Sequence, residues 1–186
     1  IYGQTDSGMT IIEGHLFLNG KKPIQQRSSY GLGEVIKAAL DNHTEHLVIS
    51  LGGIGSFDGG AGMLQALGAT FYDDEAQIVD MRKGAYLIKY IRRIDLSGVH
   101  PQLTKVNIQL MSDFSSRLYG KKSEIMQTYE SLELSQNEAA EIDNLIWYFS
   151  ELFKNELKIA MGPIERGGAG GGIAAVLNSL YQAEIL

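Results

Sequence analysis

The sequence predicts an α/β layered domain with a mixed, largely parallel sheet. Three observations predict it. Two apolar runs of strand length, His46 to Leu51 (HLVISL) and Val106 to Met111 (VNIQLM), have the continuous character of strands buried on both faces. Segments with helical spacing alternate with such runs, an order that layers helices on a sheet. A glycine-rich turn, Gly52 to Gly62, joins the first run to a helical segment.

The elements follow in chain order. Ile1-Tyr2-Gly3 reads as a strand end, and the β-branched Met9-Thr10-Ile11-Ile12 as a strand that can pair with it across Asp6-Ser7-Gly8. Gly20 to Ser29 is polar, contains Pro23 and reads as a loop. Leu32, Val35, Ile36, Ala39 and Leu40 recur at helical spacing and predict an amphipathic helix ending near Asn42. After HLVISL and its glycine turn, Asp58 is placed to cap a helix that Gly68 terminates. Ala69 to Tyr72 is a short strand, and Gly84 to Arg92 carries apolar and basic residues at helical spacing. Ser135-Gln136-Asn137-Glu138 is a capping-box pattern. The apolar positions Ile142, Leu145, Ile146, Phe149, Leu152 and Phe153 that follow predict the longest helix. Gly167 to Gly172 (GGAGGG) opens the last helix, and the polar stretch Arg117 to Gln136 reads as a mobile loop.

Composition excludes several classes. A net charge of −6 argues against a general nucleic-acid or anionic-membrane surface. With no Cys there are no disulfides, thiol nucleophiles or thiolate metal sites, which fits a reducing cytoplasm. No apolar run approaches the roughly 18 residues of a membrane span. The chain begins at Ile1 and ends on an apolar stretch, Leu177 to Leu186, so both ends read as cut from something longer. Glycine is in excess, 22 of 186 residues, and its clusters mark the candidate sites.

The first candidate is Gly52 to Gly62 (GGIGSFDGGAG). A glycine-rich strand-to-helix turn brings backbone N–H groups close to an anion, and Asp58 beside it can orient Mg²⁺ or accept a proton. The plainer reading is that Asp58 caps the helix and the glycines permit tight packing. The turn is neither a phosphate loop with a following Lys nor a dinucleotide fingerprint. The second candidate is Ser112-Asp113, at the carboxyl end of VNIQLM, where Asp113 would face the same crevice as Asp58; the plainer reading is a loop Asp. The third is Arg166 with GGAGGG, an anion-binding helix start or, more simply, close packing through small residues. The four His (His15, His43, His46, His100) show no metal-ligand spacing.

GGIGSFDGGAGMLQALGATFYD resembles the bacterial glycerate kinases, which phosphorylate D-glycerate with ATP. There a strand precedes Gly-Gly-Ser-Ala-Thr-Asn-Asp-Gly-Gly-Ala-Gly-Met and then Leu-Gln-Ala-Leu-Gly. Three further collinear stretches are similar to that family: Ser29-Tyr30-Gly31-Leu32-Gly33-Glu34, Ile94-Asp95-Leu96-Ser97-Gly98, and GGIAAVL from Gly171. The resemblance implies two α/β domains with a cleft between them. It makes residues 1–186 a single α/β fragment of a larger protein, without the family's N-terminal Asp-Ser-Phe-Lys-Gly and C-terminal Thr-Gly-Glu-Gly-Arg segments. It implies ATP and Mg²⁺ as cofactors and glycerate as substrate. Asp58 and Asp113 become catalytic carboxylates, and Gly52, Gly53, Ser56, Gly59 and Gly60 line the ligand. Where the family has Ser, Thr and Asn, this chain has Ile54, Ser56 and Phe57; where it has Asn-Pro-Leu, this chain has Ser116-Arg117-Leu118. The family's Gly-Pro-Gln-Lys-Gly falls near Tyr129 to Leu134, where Glu130 and Glu133 stand and no Lys does. Those departures motivate an alternative expectation, a kinase-like binding or regulatory module without catalysis.

Overall fold

The computed structural model describes residues 2–5, 8–17, 22–53 and 55–186. The main sheet has five strands in the order β1-β2-β3-β6-β7. β1 (Tyr2–Gln4) pairs antiparallel with β2 (Met9–Glu13), giving the expected hairpin; Asp6 and Ser7 of its turn lie outside the described residues. β2, β3 (His46–Ser50), β6 (Asn107–Met111) and β7 (Glu184–Ile185) are all parallel neighbours. α1 (Tyr30–Asp41) connects β2 to β3 and ends at Asn42, as its spacing predicts. α2 (Ala61–Ala66) follows the glycine turn, and Gly68 takes the left-handed conformation just past its end. α4 (Gln136–Leu152) opens on a complete capping box between Ser135 and Glu138. α5 (Ile173–Tyr181) follows the second glycine cluster and leads into β7.

Ala69 to Tyr72 yields the expected short strand, β4 (Thr70–Tyr72), which pairs with β5 (Arg93–Asp95) in a separate antiparallel ribbon. The loop through Pro23 contains a 3₁₀ turn at Ile24–Gln26, and Gly84 to Arg92 forms a 3₁₀ helix at Ala85–Tyr90. The stretch from Arg117 to Gln136 is not a plain loop. It folds into α3 (Glu124–Thr128) and a 3₁₀ turn at Tyr129–Leu132, held by the buried Ser123 and Ile125.

The sheet faces also differ from expectation. One face carries Ile12, Leu47, Ile49, Ile108 and Leu110, all buried in a single core with side chains of α1, α2 and α5. The other face is open. Ile11 is 44% and Met111 51% exposed, and Val48 is half-buried. The apolar runs suit a sheet covered on both faces, yet among the described residues only one face is covered.

α1 and α2 pack in close contact. A Cβ at Gly33, near the start of α1, would collide with the Met63 carbonyl oxygen and stand 2.7 Å from the Ala66 Cβ. Helix propensity alone favours Ala over Gly by about 1 kcal/mol. Forced overpacking costs about 1–3 kcal/mol, and the obstruction here is backbone, which cannot rotate away. Gly33→Ala is therefore expected to destabilise the protein, lowering the thermal midpoint by several degrees. A scanning-calorimetry midpoint that rises instead would show that the helices are not in contact there.

Candidate functional site

Parallel strands deliver their carboxyl ends to one edge of the sheet, and ligands gather there. At that edge β3 ends in Leu51-Gly52-Gly53 and β6 in Ser112-Asp113. Between them lies a cavity of about 350 Å³. Its lining includes Gly52, Gly53, Gly55 and Gly170 together with the charged side chains Arg27, Asp113 and Glu124. Leu51 and Phe57 contribute apolar surface, and Thr128, Ser131 and Leu132 complete the lining. A side chain at position 52 would have its Cβ 3.5 Å from Asp113 Oδ1, so glycine there keeps the carboxylate open to the cavity. A larger groove of about 560 Å³ runs between Gln25, Tyr86, Lys89 and α4, but no glycine turn reaches it.

Asp58 lies behind this cavity, fully buried. Its Oδ2 accepts from the Ser29 N–H (2.8 Å), the Ser29 hydroxyl (2.9 Å) and the Gly62 N–H (3.2 Å), and its Oδ1 from the Gly60 N–H (3.1 Å). Ser29 Oγ in turn accepts from the Met63 N–H at 2.8 Å. One carboxylate thus holds the start of α1 against the start of α2. Burial pushes its carboxyl up from the ordinary value, and the donors from Ser29, Gly62 and Gly60 pull it back. With four donors on two oxygens, Asp58 fixes the backbone at both helix starts.

The two glycine turns meet. The Gly59 N–H donates to the Gly171 carbonyl at 3.0 Å. Gly171 is left-handed (φ 63°), and a Cβ there would collide with the Ser56 carbonyl oxygen. The Gly171 N–H donates to Glu124 Oε2 at 3.2 Å, fixing that carboxylate at the cavity wall. Glu124 is the first residue of α3, whose N-cap Ser123 accepts from the Met126 N–H. The Ser123 hydroxyl donates to Asp143 Oδ1, and the Gly120 N–H reaches both Asp143 oxygens at 3.0 and 2.8 Å. Asp143 on α4 therefore anchors the segment that presents Glu124. Burial lifts the Glu124 carboxyl from an ordinary 4.5 to about 7; the N–H groups of Gly171 and Gly170 oppose the rise, and the Asp113 carboxylate adds to it.

Of the residues expected from sequence, Asp113, Gly52 and Gly53 reach the cavity. Asp58, Ser56, Gly59 and Gly60 do not line it and are buried, and Ile54 lies outside the described residues. The expected shared cleft of Asp58 and Asp113 is corrected accordingly: the donors at the helix starts enclose Asp58. The Ser56 hydroxyl is buried and makes no hydrogen bond among the described residues. Arg166 is also absent from the lining, and the glycines after it serve close packing together with one cavity contact at Gly170. Glu130 and Glu133 do not line the cavity, although Thr128, Ser131 and Leu132 from the same stretch do. Sequence reasoning missed Arg27 and Glu124. Arg27 sits in a polar loop without periodicity. Glu124 follows a Ser that caps its helix, the one local signal that could have placed it.

The residues fit a magnesium–nucleotide in kind. Mg²⁺ is commonly held by one or two carboxylates together with substrate phosphates, and Asp113 offers one beside an open glycine turn. Among the described residues no cluster of three or more His, Asp or Glu could hold a metal by itself. Among them, too, no helix is long and apolar enough to cross a membrane.

Comparison with known proteins extends these observations. The model of one family, described as the glycerate kinase family, matches residues 7–186. A glycerate kinase of Halalkalibacterium halodurans is 29% identical over 172 residues, 92% of this chain and 45% of the relative. A glycerate 2-kinase of Escherichia coli is 30% identical over 158 residues, 85% of this chain and 41% of the relative. A crystal structure of a protein assigned as glycerate kinase 2 in Salmonella typhimurium superposes with a TM-score of 0.90 at 27% identity, covering 100% of this chain and 51% of that one. The chain spans less than half the length of these two curated relatives.

The burial of Glu124 predicts a pH dependence. An unfolded Glu loses its proton near 4.5, whereas the folded carboxyl keeps it to about 7. Between those values the native state binds the extra proton, so its stability falls as pH rises. Glu124→Gln removes the effect. Denaturant unfolding of both proteins between pH 4 and pH 8 should show the variant gaining on the order of 2–3 kcal/mol relative to wild type as pH rises. Parallel curves would place Glu124 in water.

Proposed function

The chain belongs to the glycerate kinase family, and from that premise we propose that it forms part of a site that transfers the γ-phosphoryl group of ATP to a hydroxyl of D-glycerate in the cytoplasm. The observation that carries this reading is the cavity at the ends of β3 and β6, where an open glycine turn faces Asp113 and Glu124. Mg–ATP, when bound, supplies the phosphoryl group and neutralises charge on it. The backbone of Gly52 and Gly53 approaches anionic oxygens without side chains in the way. Asp113 is suited to orient the cation. Glu124, with a carboxyl titrating at about 7, is suited to take the proton that the acceptor hydroxyl loses as its oxygen bonds to phosphorus and the bond to ADP breaks. Asp58 keeps the turn in place without touching the reaction. Positioning and charge neutralisation supply most of the rate in such transfers, so the site needs every wall in place.

A coupled ADP-release assay with Mg²⁺, ATP and D-glycerate tests the reading, run on this chain and on the longest natural polypeptide that contains it. We expect turnover by the longer form. Glu124→Gln should lower its kcat by about 10²–10⁴ and abolish the rise in rate around neutral pH. The 186-residue chain alone should turn over at least about a hundredfold more slowly, since misplacement of about 1 Å costs that much. No turnover by either form would favour a binding module that has kept the fold without the chemistry.

A further inference from the structure

We propose that Arg27 is the residue that holds the substrate's carboxylate and so determines specificity for an organic acid over a neutral alcohol. The proposal rests on the kinase reading and deepens it. Among the described residues Arg27 is the single cationic side chain lining the cavity. Its Nε donates to the Lys22 carbonyl at 3.0 Å and its Nη1 to the Gly55 carbonyl at 3.2 Å. Those two bonds fix the guanidinium on the glycine-turn wall and use two of its five N–H donors. It makes no third bond among the described residues, so a fork suited to a carboxylate remains available.

Charge decides the orientation of a small hydroxy acid in this cavity. Asp113 and Glu124 put two acidic side chains into the same cavity lining, against the cationic side chain of Arg27. A substrate carboxylate set against that pair would meet like charge. The opposite orientation places the carboxylate on Arg27 and the hydroxyl toward Glu124, where its proton must go. A cavity of about 350 Å³ has room for a three-carbon acid in that pose, with space left for an incoming phosphoryl group. Arg27 also borders a neighbouring cavity of about 450 Å³ lined by Lys22 and Arg82. Arg82 faces only that neighbour and is paired with Asp80 at 2.8 Å, which makes it a suitable control.

Titration calorimetry on the longest natural polypeptide that contains this chain tests the assignment, with D-glycerate, glycerol and Mg–ATP as probes and wild type compared with Arg27→Gln, Arg27→Lys and Arg82→Gln. Wild type should bind D-glycerate at least tenfold more tightly than glycerol, a comparison that needs no variant to fold. Arg27→Gln should weaken D-glycerate by about 10- to 100-fold while leaving glycerol unchanged, because the lost bond is charge-assisted. Arg27→Lys should restore part of the loss, and Arg82→Gln should change nothing. D-glycerate bound equally by wild type and Arg27→Gln would overturn the proposal while leaving the kinase reading intact. A loss confined to Mg–ATP would also overturn it, assigning Arg27 to phosphate. Wild type that binds neither D-glycerate nor Mg–ATP would refute the kinase reading and the proposal with it.

Discussion

A carboxylate without water must be surrounded by donors, and the placement of Asp58 organises the protein around that requirement. An ionised carboxylate left unpaired in an apolar interior is far too costly to persist. Asp58 is fully buried, and what offsets the cost is four hydrogen bonds drawn from two helix starts. Satisfying them fixes the position of Ser29 relative to Gly60 and Gly62. That in turn sets α1 against α2 at a distance where Gly33 admits no side chain. The same loop then has one geometry at Gly52 and Gly53, where the cavity begins. A network of this kind is all-or-none, since a missing partner leaves buried polar groups unpaired.

Three acidic residues show how environment assigns different work to one chemical group. Asp58 is saturated by donors and serves as a frame. Asp143 is bound by Gly120 and Ser123 and positions the start of α3. Glu124 accepts a bond from Gly171 and otherwise faces the cavity with a neighbouring acid, so its proton affinity is moved toward neutral pH. The first two hold backbone segments in place, and the third keeps a carboxyl in the cavity lining.

The fold was largely legible because its signals are local. Periodicity gave α1, the capping box gave α4, and β-branched runs gave β2, β3 and β6. What stayed hidden depends on partners far along the chain. β4 is readable as a strand, but its pairing with β5 is a tertiary fact. The open sheet face is similar: Val48 and Met111 read as buried because residue type says nothing about what covers them. At the site, glycine spacing located the turn and the end of β6 located Asp113. Asp58 looked catalytic because its type and position suit chemistry. Its enclosure by Ser29, 29 residues earlier, carries no signal in the local sequence. Arg27 and Glu124 escaped notice because each is brought to the cavity by contacts with a distant loop, Gly55 in one case and Gly171 in the other.

Asp58 and Ser29, bonded through both the Ser29 N–H and its hydroxyl, are expected to act as one unit in holding the helix starts together. A double-mutant cycle on unfolding free energy, with Ser29→Ala, Asp58→Asn and the double variant, measures that coupling directly. Residues sharing one buried hydrogen-bond network couple by about 0.5–3 kcal/mol, and we expect a value in the upper part of that range. Losses that add to within about 0.3–0.5 kcal/mol would mean that the two side chains act independently, and would contradict the account.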